Sequence, residues 1–428
     1  MLVEFSVANY RSIADKVILS MIAAPIKSGS HAASLDTQNV IYIDDKLSLL
    51  KTVAIYGANA SGKSNVLRAL TAMGQYMQLS VVVEEMSLLR NKKPIFPYEP
   101  FLLREGGENE TSFFEIVFLM EGKQYRYGFE ISASCVEKEW LYFVPSTREA
   151  LLFEREKETF KIGAMFKKAQ GLEERVTEKA LFLTVARDFN VKIARDIFGW
   201  LSRFPTMADE TFESGFTIWC LEAPERSEGI VEFIKQSDVG ISDIQVLDVS
   251  DRQEAAIRKD YDSYVVETVH KVYNQMGQLI GSQKLDMGHH ASDGTRKLFA
   301  IAGKIVTVLR EGHILLLDEI DSKLHPALTR KIIELFHSSK TNPNNAQLIF
   351  ATHDTNLLDN QLMRRDQIWF TEKKRSGATD LYSLAELKVR NDALYQKDYI
   401  EGRYGAIPFP GSFSNLFDDR EETDAVTE

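Results

Sequence analysis

One eight-residue segment constrains the fold of this chain more than any other. Residues 57–64 read Gly-Ala-Asn-Ala-Ser-Gly-Lys-Ser and match the pattern G-x-x-x-x-G-K-[ST]. The apolar, β-rich residues 50–56 precede the segment, and the helical pattern of residues 65–76 follows it. A strand, a glycine-rich turn and a helix form the arrangement in which backbone N–H groups surround phosphates. The segment therefore predicts a nucleotide-binding α/β fold. A chance match to the motif in a glycine-containing turn is the alternative, and the flanking strand and helix disfavour it.

Each residue type in this loop has a chemical reason. The glycines let the backbone turn its N–H groups inward, and the start of the helix adds its positive dipole end. Lys63 is expected to reach the β- and γ-phosphates of ATP, and the Ser64 hydroxyl is expected to bind Mg²⁺. The nucleotide-binding residues predicted from this loop are Gly57, Asn59, Ser61, Gly62, Lys63, Ser64 and Asn65.

The composition limits the classes of protein that can carry this loop. The net charge of −11 argues against non-specific nucleic-acid binding by the whole surface, although a local basic groove remains compatible with it. Two cysteines, Cys135 and Cys220, give no disulfide framework and favour a reducing compartment. The sequence has no apolar run of membrane-spanning length and no signal peptide, so we expect a cytoplasmic protein without a membrane partner.

Two carboxylates follow a second apolar segment. Residues 313–317 (HILLL) read as a buried parallel strand, which would leave Asp318 and Glu319 at the carboxyl edge of the sheet, where nucleotides bind. Asp318 is suited to hold Mg²⁺, and Glu319 to accept a proton from the attacking water. A strand that ends in solvated acids is the commoner explanation of such a pattern, but the phosphate-binding loop favours the catalytic one.

Four short elements are similar to motifs of known ATPases. Ser292-Asp293-Gly294 resembles the signature motif of ABC-type ATPases, which binds the γ-phosphate held by the other subunit, although a Ser N-cap of a helix is the simpler alternative. His353 resembles the switch histidine that reports the γ-phosphate, and Asp321 matches the D-loop that couples two sites. Arg11, in Asn9-Tyr10-Arg11-Ser12, resembles a basic residue of SMC, RecF and Rad-type ATPases that approaches the nucleotide; a surface turn arginine is the alternative.

The chain as a whole, over about residues 1–410, resembles the AAA/ABC-like ATPases of the OLD and RloA/AbiLi groups of bacterial anti-phage loci, which are related to RecF and SMC ATPase heads. The resemblance implies ATP and Mg²⁺ as cofactors, with Glu319, His353 and Arg11 as catalytic residues. It also implies a homodimer or higher oligomer that closes around ATP. The matching pieces are residues 9–12, 57–65, 125–129, 292–298, 315–326 and 351–354, and a closing motif at 402–408.

The resemblance and the residue pattern together predict an α/β fold like an ABC or SMC head, with an antiparallel β-layer and a helical insertion. OLD enzymes also carry a Toprim nuclease, but too little chain follows His353 to hold one, so we expect no nuclease site here. The glutamine of the Q-loop is unassigned. The predicted segments are the first half of the ATPase domain (1–110), the β-layer (111–155), a mainly helical sensor or partner region (156–280), the second half of the ATPase domain (281–412) and an acidic, disordered tail (413–428).

Four functions compete on the sequence alone. The first is an ATPase that dimerises around ATP and regulates a separate effector, such as a nuclease or an RNA-binding protein, in anti-phage defence. The second is a RecF-like repair ATPase that binds DNA through basic runs such as 90–93 and 373–375, although runs this short usually form solvated faces. A transporter ATPase fits poorly because the sequence has no membrane span, and a scaffold that hardly turns ATP over is disfavoured by Glu319.

Overall fold

The described residues form four β-sheets. The computed structural model describes residues 1–29, 32–82, 98–145, 148–201, 210–237, 239–248, 264–390 and 393–408. The basic run 90–93 and the predicted acidic tail, 413–428, lie outside these ranges. The strands are β1 (Leu2–Ala8), β2 (Val17–Ser20), β3 (Val40–Tyr42), β4 (Ser48–Leu50), β5 (Thr52–Tyr56), β6 (Ser112–Met120), β7 (Lys123–Ile131), β8 (Val136–Val144), β9 (Ala150–Glu156), β10 (Thr159–Ile162), β11 (Asp243–Asp248), β12 (Tyr264–Tyr273), β13 (Leu279–Asp286), β14 (Ile314–Leu317), β15 (Gln347–Ala351), β16 (Ile368–Lys373) and β17 (Thr379–Ser383).

The helices lie between and beside these sheets. Among the described residues, no helix is both long and apolar enough to cross a membrane. The α-helices are α1 (Leu35–Gln38), α2 (Lys63–Leu79), α3 (Phe182–Asp188), α4 (Lys192–Leu201), α5 (Glu210–Leu221), α6 (Pro224–Gln236), α7 (Met287–His290), α8 (Asp293–Glu311), α9 (Pro326–His337) and α10 (Tyr395–Ile400).

A five-stranded sheet carries the phosphate-binding loop. Its strand order is β14-β15-β5-β16-β17, in which the first four strands are parallel and β17 is antiparallel to β16. Every residue of β5, β14 and β15 is buried, which explains why these strands read as continuous apolar runs. The carboxyl ends of these three strands therefore meet at one edge, and the predicted α/β class is confirmed.

A seven-stranded antiparallel sheet lies beside it, in the order β10-β9-β8-β7-β6-β1-β2. The dipeptide Glu121-Gly122 predicts a hairpin turn between β6 and β7, and the structure has this hairpin, with both residues at positive φ. The predicted β-layer extends beyond 111–155, because β1 pairs with β6, with Val7 opposite Phe114. The pairing with β6 helps to bury the apolar side chains of β1. The sequence around β1 does not indicate this partner, because β6 lies more than 100 residues later in the chain.

One hydrophobic core joins the two sheets. Val66, Leu70 and Met73 of α2 are buried in the same cluster as the inward side chains of β1, β6 and β7 and as Ile55 of β5 and Ile349 of β15. The helix that starts at the phosphate-binding loop is therefore packed between the sheets. Its position is fixed along its whole length rather than by the loop alone.

The segment 156–280 departs from the mainly helical expectation. It holds α3 to α6, but it also holds β10 and most of a three-stranded sheet in the order β11-β12-β13. The pattern of residues 241–249 predicts a strand, which is present as β11, whereas β13 gives no clear alternation because most of its residues are exposed. The pattern of residues 182–200 predicts one helix, but the structure has two, with Asn190 in a left-handed conformation between them (φ 62°).

A buried histidine ties the start of β5 to α9. His337, the last residue of α9, has its Nε2 atom 2.8 Å from the Thr52 hydroxyl, and Lys51 Nζ donates to the His337 carbonyl oxygen (2.9 Å). Burial, with a smaller effect from the charge of Lys51, lowers the pKa of His337 to about 3. The imidazole is therefore neutral in the folded protein over the physiological range.

This histidine makes the fold sensitive to acid. The unfolded chain takes up a proton on His337 near the usual pKa of about 6.5, whereas the folded chain does so only near the lowered value. The free energy of unfolding should therefore fall with decreasing pH between about 6.5 and 3, by up to about 1.4 kcal/mol per pH unit from this group. Urea unfolding at pH 7, 6 and 5 should show a shallower pH dependence for His337→Gln than for the wild type. Equal slopes would contradict this assignment.

Candidate nucleotide-binding site

The backbone of the phosphate-binding loop can be formed only by glycine at two positions. Gly57 and Gly62 have φ angles of 154° and 116°. A Cβ on Gly57 would lie 2.4 Å from the carbonyl oxygen of Thr371, and one on Gly62 would lie 2.2 Å from the Thr379 hydroxyl. Gly62 also precedes α2, so the N–H groups of the first helical turn open onto the loop.

Hydroxyl groups from distant strands hold this loop. The hydroxyl of Thr379, at the start of β17, donates to the Ser61 carbonyl oxygen (2.8 Å) and accepts from the Ser12 hydroxyl (2.8 Å). The Ser12 hydroxyl in turn accepts from the side-chain amide of Asn65 (2.7 Å). On β16, Thr371 accepts from the Ser61 hydroxyl (2.6 Å). No pattern in the sequence marks Thr371 or Thr379, because isolated threonines in strands have no distinctive signature. Asn65, predicted to bind nucleotide, is used in this network.

Lys63 contacts the loop that it is expected to serve. Its buried Nζ atom donates to the carbonyl oxygens of Gly57 (2.9 Å) and Ala58 (3.2 Å). Burial lowers the pKa of Lys63, and the negative charges of Asp318, Glu319 and Asp321 oppose that shift. The lysine predicted from the loop and the carboxylates predicted from β14 are therefore electrostatic neighbours. Ser64 is half-buried in the first turn of α2, and Asn59 is exposed at the tip of the loop.

The carboxylates after β14 differ in environment. Asp318 is half-buried, and its Oδ1 atom is buried without a hydrogen-bond partner among the described residues. Glu319 is exposed and has a positive φ of 48°, so the chain turns sharply away from the strand there. Lys297 of α8 donates to the Glu319 carbonyl oxygen (2.7 Å) and so braces this turn.

The oxygen atoms near Lys63 fit Mg²⁺. The unpartnered Oδ1 of Asp318 and the Ser64 hydroxyl are hard oxygen donors, which are the ligands that Mg²⁺ prefers. In the described part of the chain, no group of three or more His, Cys, Asp or Glu side chains is arranged to hold a metal. A magnesium ion held by Ser64 and Asp318 would therefore need phosphate oxygens and water as its remaining ligands.

His353 follows β15 at the same edge of the sheet. The Asp321 carboxylate accepts from the Thr352 hydroxyl (2.6 Å) and from the His353 backbone N–H (3.3 Å), which fixes the start of this segment. Burial lowers the pKa of His353, and the charge of Lys63 adds to that shift, while the nearby carboxylates oppose it. The structure therefore brings His353 together with Lys63, Asp318, Glu319 and Asp321.

The signature-like segment lies at the start of α8. Ser292 caps α8, because its hydroxyl accepts from the Thr295 N–H (3.2 Å), and Asp293 pairs with Arg296 (2.5 Å). Gly294 approaches the D-loop side, where a Cβ would lie 2.6 Å from the Lys323 carbonyl oxygen. Ser292 and Asp293 are exposed, and no described contact joins them to Lys63 of the same chain.

Arg11 has a different immediate partner from the one expected. Its guanidinium forms an ion pair with Glu99 (2.8 Å), and its backbone N–H donates to the Glu99 carbonyl oxygen (2.6 Å). The residue has a positive φ of 51°, as does its neighbour Asn9 (48°). The positive charge of Arg11 is therefore partly balanced by Glu99.

Comparison with known proteins identifies similar sequences and structures. A family profile described as "AAA domain, putative AbiEii toxin, Type IV TA system" matches residues 53–359. Among solved structures, the SMC head domain from Thermotoga maritima is similar at 14% identity over 91% of this chain and 99% of that chain, with a TM-score of 0.41. An Smc head domain with a coiled coil and joint derived from Pyrococcus yayanosii is similar at 10% identity over 94% and 99%, also with a TM-score of 0.41. No curated protein matched.

The hydroxyl network gives a prediction for the loop. Thr379→Val keeps the shape of the side chain but removes its bonds to Ser61 and Ser12, so the free energy of unfolding should fall by about 1–2 kcal/mol. The affinity for a fluorescent ATP analogue should fall by roughly fivefold, because the loop loses a tether. Thr71→Val is the matched control, since the Thr71 hydroxyl donates to the Leu67 carbonyl oxygen within α2. Equal losses of affinity in both variants would contradict a specific role for Thr379.

Proposed function

Because the chain belongs to the family described as "AAA domain, putative AbiEii toxin, Type IV TA system", we propose that it binds ATP with Mg²⁺ and hydrolyses the γ-phosphate bond. The observation that carries this proposal is the convergence of Lys63, Asp318, Glu319 and His353 at one edge of a parallel sheet. A glycine cradle, a lysine, a carboxylate pair and a histidine are the groups needed to bind a nucleoside triphosphate and cleave it.

The residues of the site divide the chemistry among them. Lys63 exchanges its two loop carbonyls for the β- and γ-phosphates, whose charge offsets the effect of its burial. Ser64 and Asp318 would hold Mg²⁺, which would supply positive charge to stabilise the transferred phosphate. Glu319 accepts a proton from the attacking water, since its exposed position leaves room for that water. His353, whose burial favours the neutral ring, donates a hydrogen bond to the γ-phosphate.

A second copy of the chain completes the site in this proposal. Ser292 and Asp293 lie at the exposed start of α8, and no described hydrogen bond or ion pair joins them to Lys63 of the same chain. A helix N-terminus with open N–H groups binds phosphate, so the segment suits the γ-phosphate held by a partner copy. Asp321 links the two sites, because its carboxylate holds the His353 segment while the neighbouring Lys323 packs against Gly294. Arg11 acts on the nucleotide only if it leaves Glu99.

The biological role proposed is regulation of a separate effector, a nuclease or an RNA-binding protein, in the cytoplasm of a bacterium under phage attack. The motifs shared with the OLD and RloA/AbiLi groups support this role, and the toxin–antitoxin wording of the family description agrees with it. The basic run 373–375 adds little support for direct DNA binding of the RecF type. Lys374 lies within 4 Å of Asp15 and Asp380, so its charge is already balanced.

The role of Glu319 can be tested by Glu319→Gln. Binding of ATP and Mg²⁺ should persist while proton transfer from water fails, so turnover should fall by roughly 100-fold or more and an ATP-bound dimer should accumulate. Phosphate release and size-exclusion chromatography with light scattering measure both effects. The same variant, with ATP, should retain an effector from cells that carry the neighbouring genes, and Lys63→Ala is the control that should not. Turnover at the wild-type rate would exclude Glu319 as the base.

The two-copy site can be tested by mixing inactive variants. Ser292→Arg blocks the signature-like segment, and Lys63→Ala removes the phosphate-binding lysine, so each variant alone should hydrolyse almost no ATP. A mixed dimer has one intact site, built from Lys63 of one copy and Ser292 of the other. Mixing should therefore restore up to about half of the wild-type turnover per mixed dimer. If the mixture stays inactive while forming dimers, the segment does not act on its partner.

A further inference from the structure

Tyr56 places a buried hydroxyl group beside the nucleotide-binding site. It is the last residue of β5 and directly precedes Gly57. The whole side chain is buried, and its hydroxyl has no hydrogen-bond partner among the described residues. A buried hydroxyl in a well-packed protein normally has a partner, so this atom points to an interaction of its own.

A complementary atom lies on the neighbouring segment. Asp354 follows His353, and its Oδ1 atom accepts from the Asn356 N–H (2.9 Å) at the start of the short 3₁₀ helix Thr355–Leu357. Its Oδ2 atom is buried and has no partner among the described residues. One side chain therefore offers a donor without an acceptor, and the other offers an acceptor without a donor.

The sheet brings these two residues to the same edge. In the parallel pairing of β5 with β15, Ile55 lies opposite Ala351, and the Thr352 N–H donates to the Ile55 carbonyl oxygen (3.1 Å). Tyr56 and the segment that carries His353 and Asp354 therefore leave the sheet side by side. Burial, together with the charges of Asp354 and Asp321, raises the pKa of Tyr56 well above its usual range, so the hydroxyl keeps its proton.

Aromatic residues from the end of the chain hold Tyr56 in place. Its ring centre lies 6.1 Å from that of Tyr399 and 6.3 Å from that of Phe370. The Tyr399 hydroxyl donates to the Ala406 carbonyl oxygen (3.1 Å), and Tyr404 packs on Phe370 at 5.9 Å. The closing motif at 402–408 thereby gains a physical role, since it packs the cluster against the base of the phosphate-binding loop.

We propose that Tyr56 is a positioning residue for the switch segment: its hydroxyl donates, through a bridging water, to Asp354 and so fixes the backbone that presents His353 to the γ-phosphate. The part that concerns γ-phosphate rests on the proposed ATPase function. The water-bridged contact between Tyr56 and Asp354 does not, and it can be tested in the nucleotide-free protein.

The experiment uses three variants of the full chain. Tyr56→Phe removes only the hydroxyl, and Asp354→Asn removes the charge of its partner. Tyr399→Phe is the matched control, because it removes a hydroxyl from the same aromatic cluster that bonds elsewhere. Hydrogen–deuterium exchange of residues 352–356 is measured without nucleotide, and kcat, KM and the dissociation constant for ATP are measured with Mg²⁺.

The proposal predicts a specific pattern. In Tyr56→Phe, exchange in 352–356 should rise by roughly fivefold, as expected for the loss of one hydrogen bond. Its kcat should fall by a similar factor while the dissociation constant for ATP stays within twofold, and adding Asp354→Asn should cause little further loss. Tyr399→Phe should leave exchange in 352–356 and kcat near the wild-type values.

Other outcomes would overturn it. Unchanged exchange in 352–356 of Tyr56→Phe means that its hydroxyl does not hold Asp354. Equal effects in Tyr399→Phe mean that general loosening of the aromatic cluster is responsible, and additive losses in the double variant mean that Tyr56 acts elsewhere. A wild-type protein that neither binds nor hydrolyses ATP would refute the proposed function instead, while the exchange measurement would still decide the role of Tyr56.

Discussion

The phosphate-binding loop depends on close packing between its glycines and two threonines from the other end of the chain. Thr371 and Thr379 occupy the space that any side chain at Gly57 or Gly62 would need, and their hydroxyls bond Ser61. The conformation of the loop therefore depends on contacts with β16 and β17 as well as on its own backbone. Strand β16 must pair with β5, and β17 with β16, before the N–H groups of the loop can surround a phosphate.

Parallel pairing concentrates charge at one edge of the central sheet. Lys63, Asp318 and His353 come from separate segments, yet they share this edge because β5, β14 and β15 run in the same direction. Burial disfavours the charged forms of Lys63 and His353, while the carboxylates favour them. The positive and negative charges of the site therefore partly compensate one another. The site remains suited to bind a highly charged ligand.

The structure also shows why some predictions from sequence hold and others do not. The strands β5 and β14 were predicted because burial on both faces requires an unbroken apolar run, which is visible locally. Strand β13, which starts at the end of the segment 156–280, gives no such signal because most of its residues are exposed. The boundary at residue 110 does not separate two sheets, because β1 pairs with β6. Arg11 was predicted from a motif, and only tertiary structure reveals its pairing with Glu99.

The sequence by itself determined the strand, loop and helix around Lys63, the strand that ends at Asp318, and the glycines of the loop. These features depend on local periodicity and on the few residue types that tolerate a given backbone. Only the tertiary structure decided that Thr379 holds Ser61, that Gly294 packs against Lys323, and that Tyr56 and Asp354 leave the sheet side by side. Such contacts join residues far apart in the chain, and each residue type is ordinary until the sheets bring it to its partner.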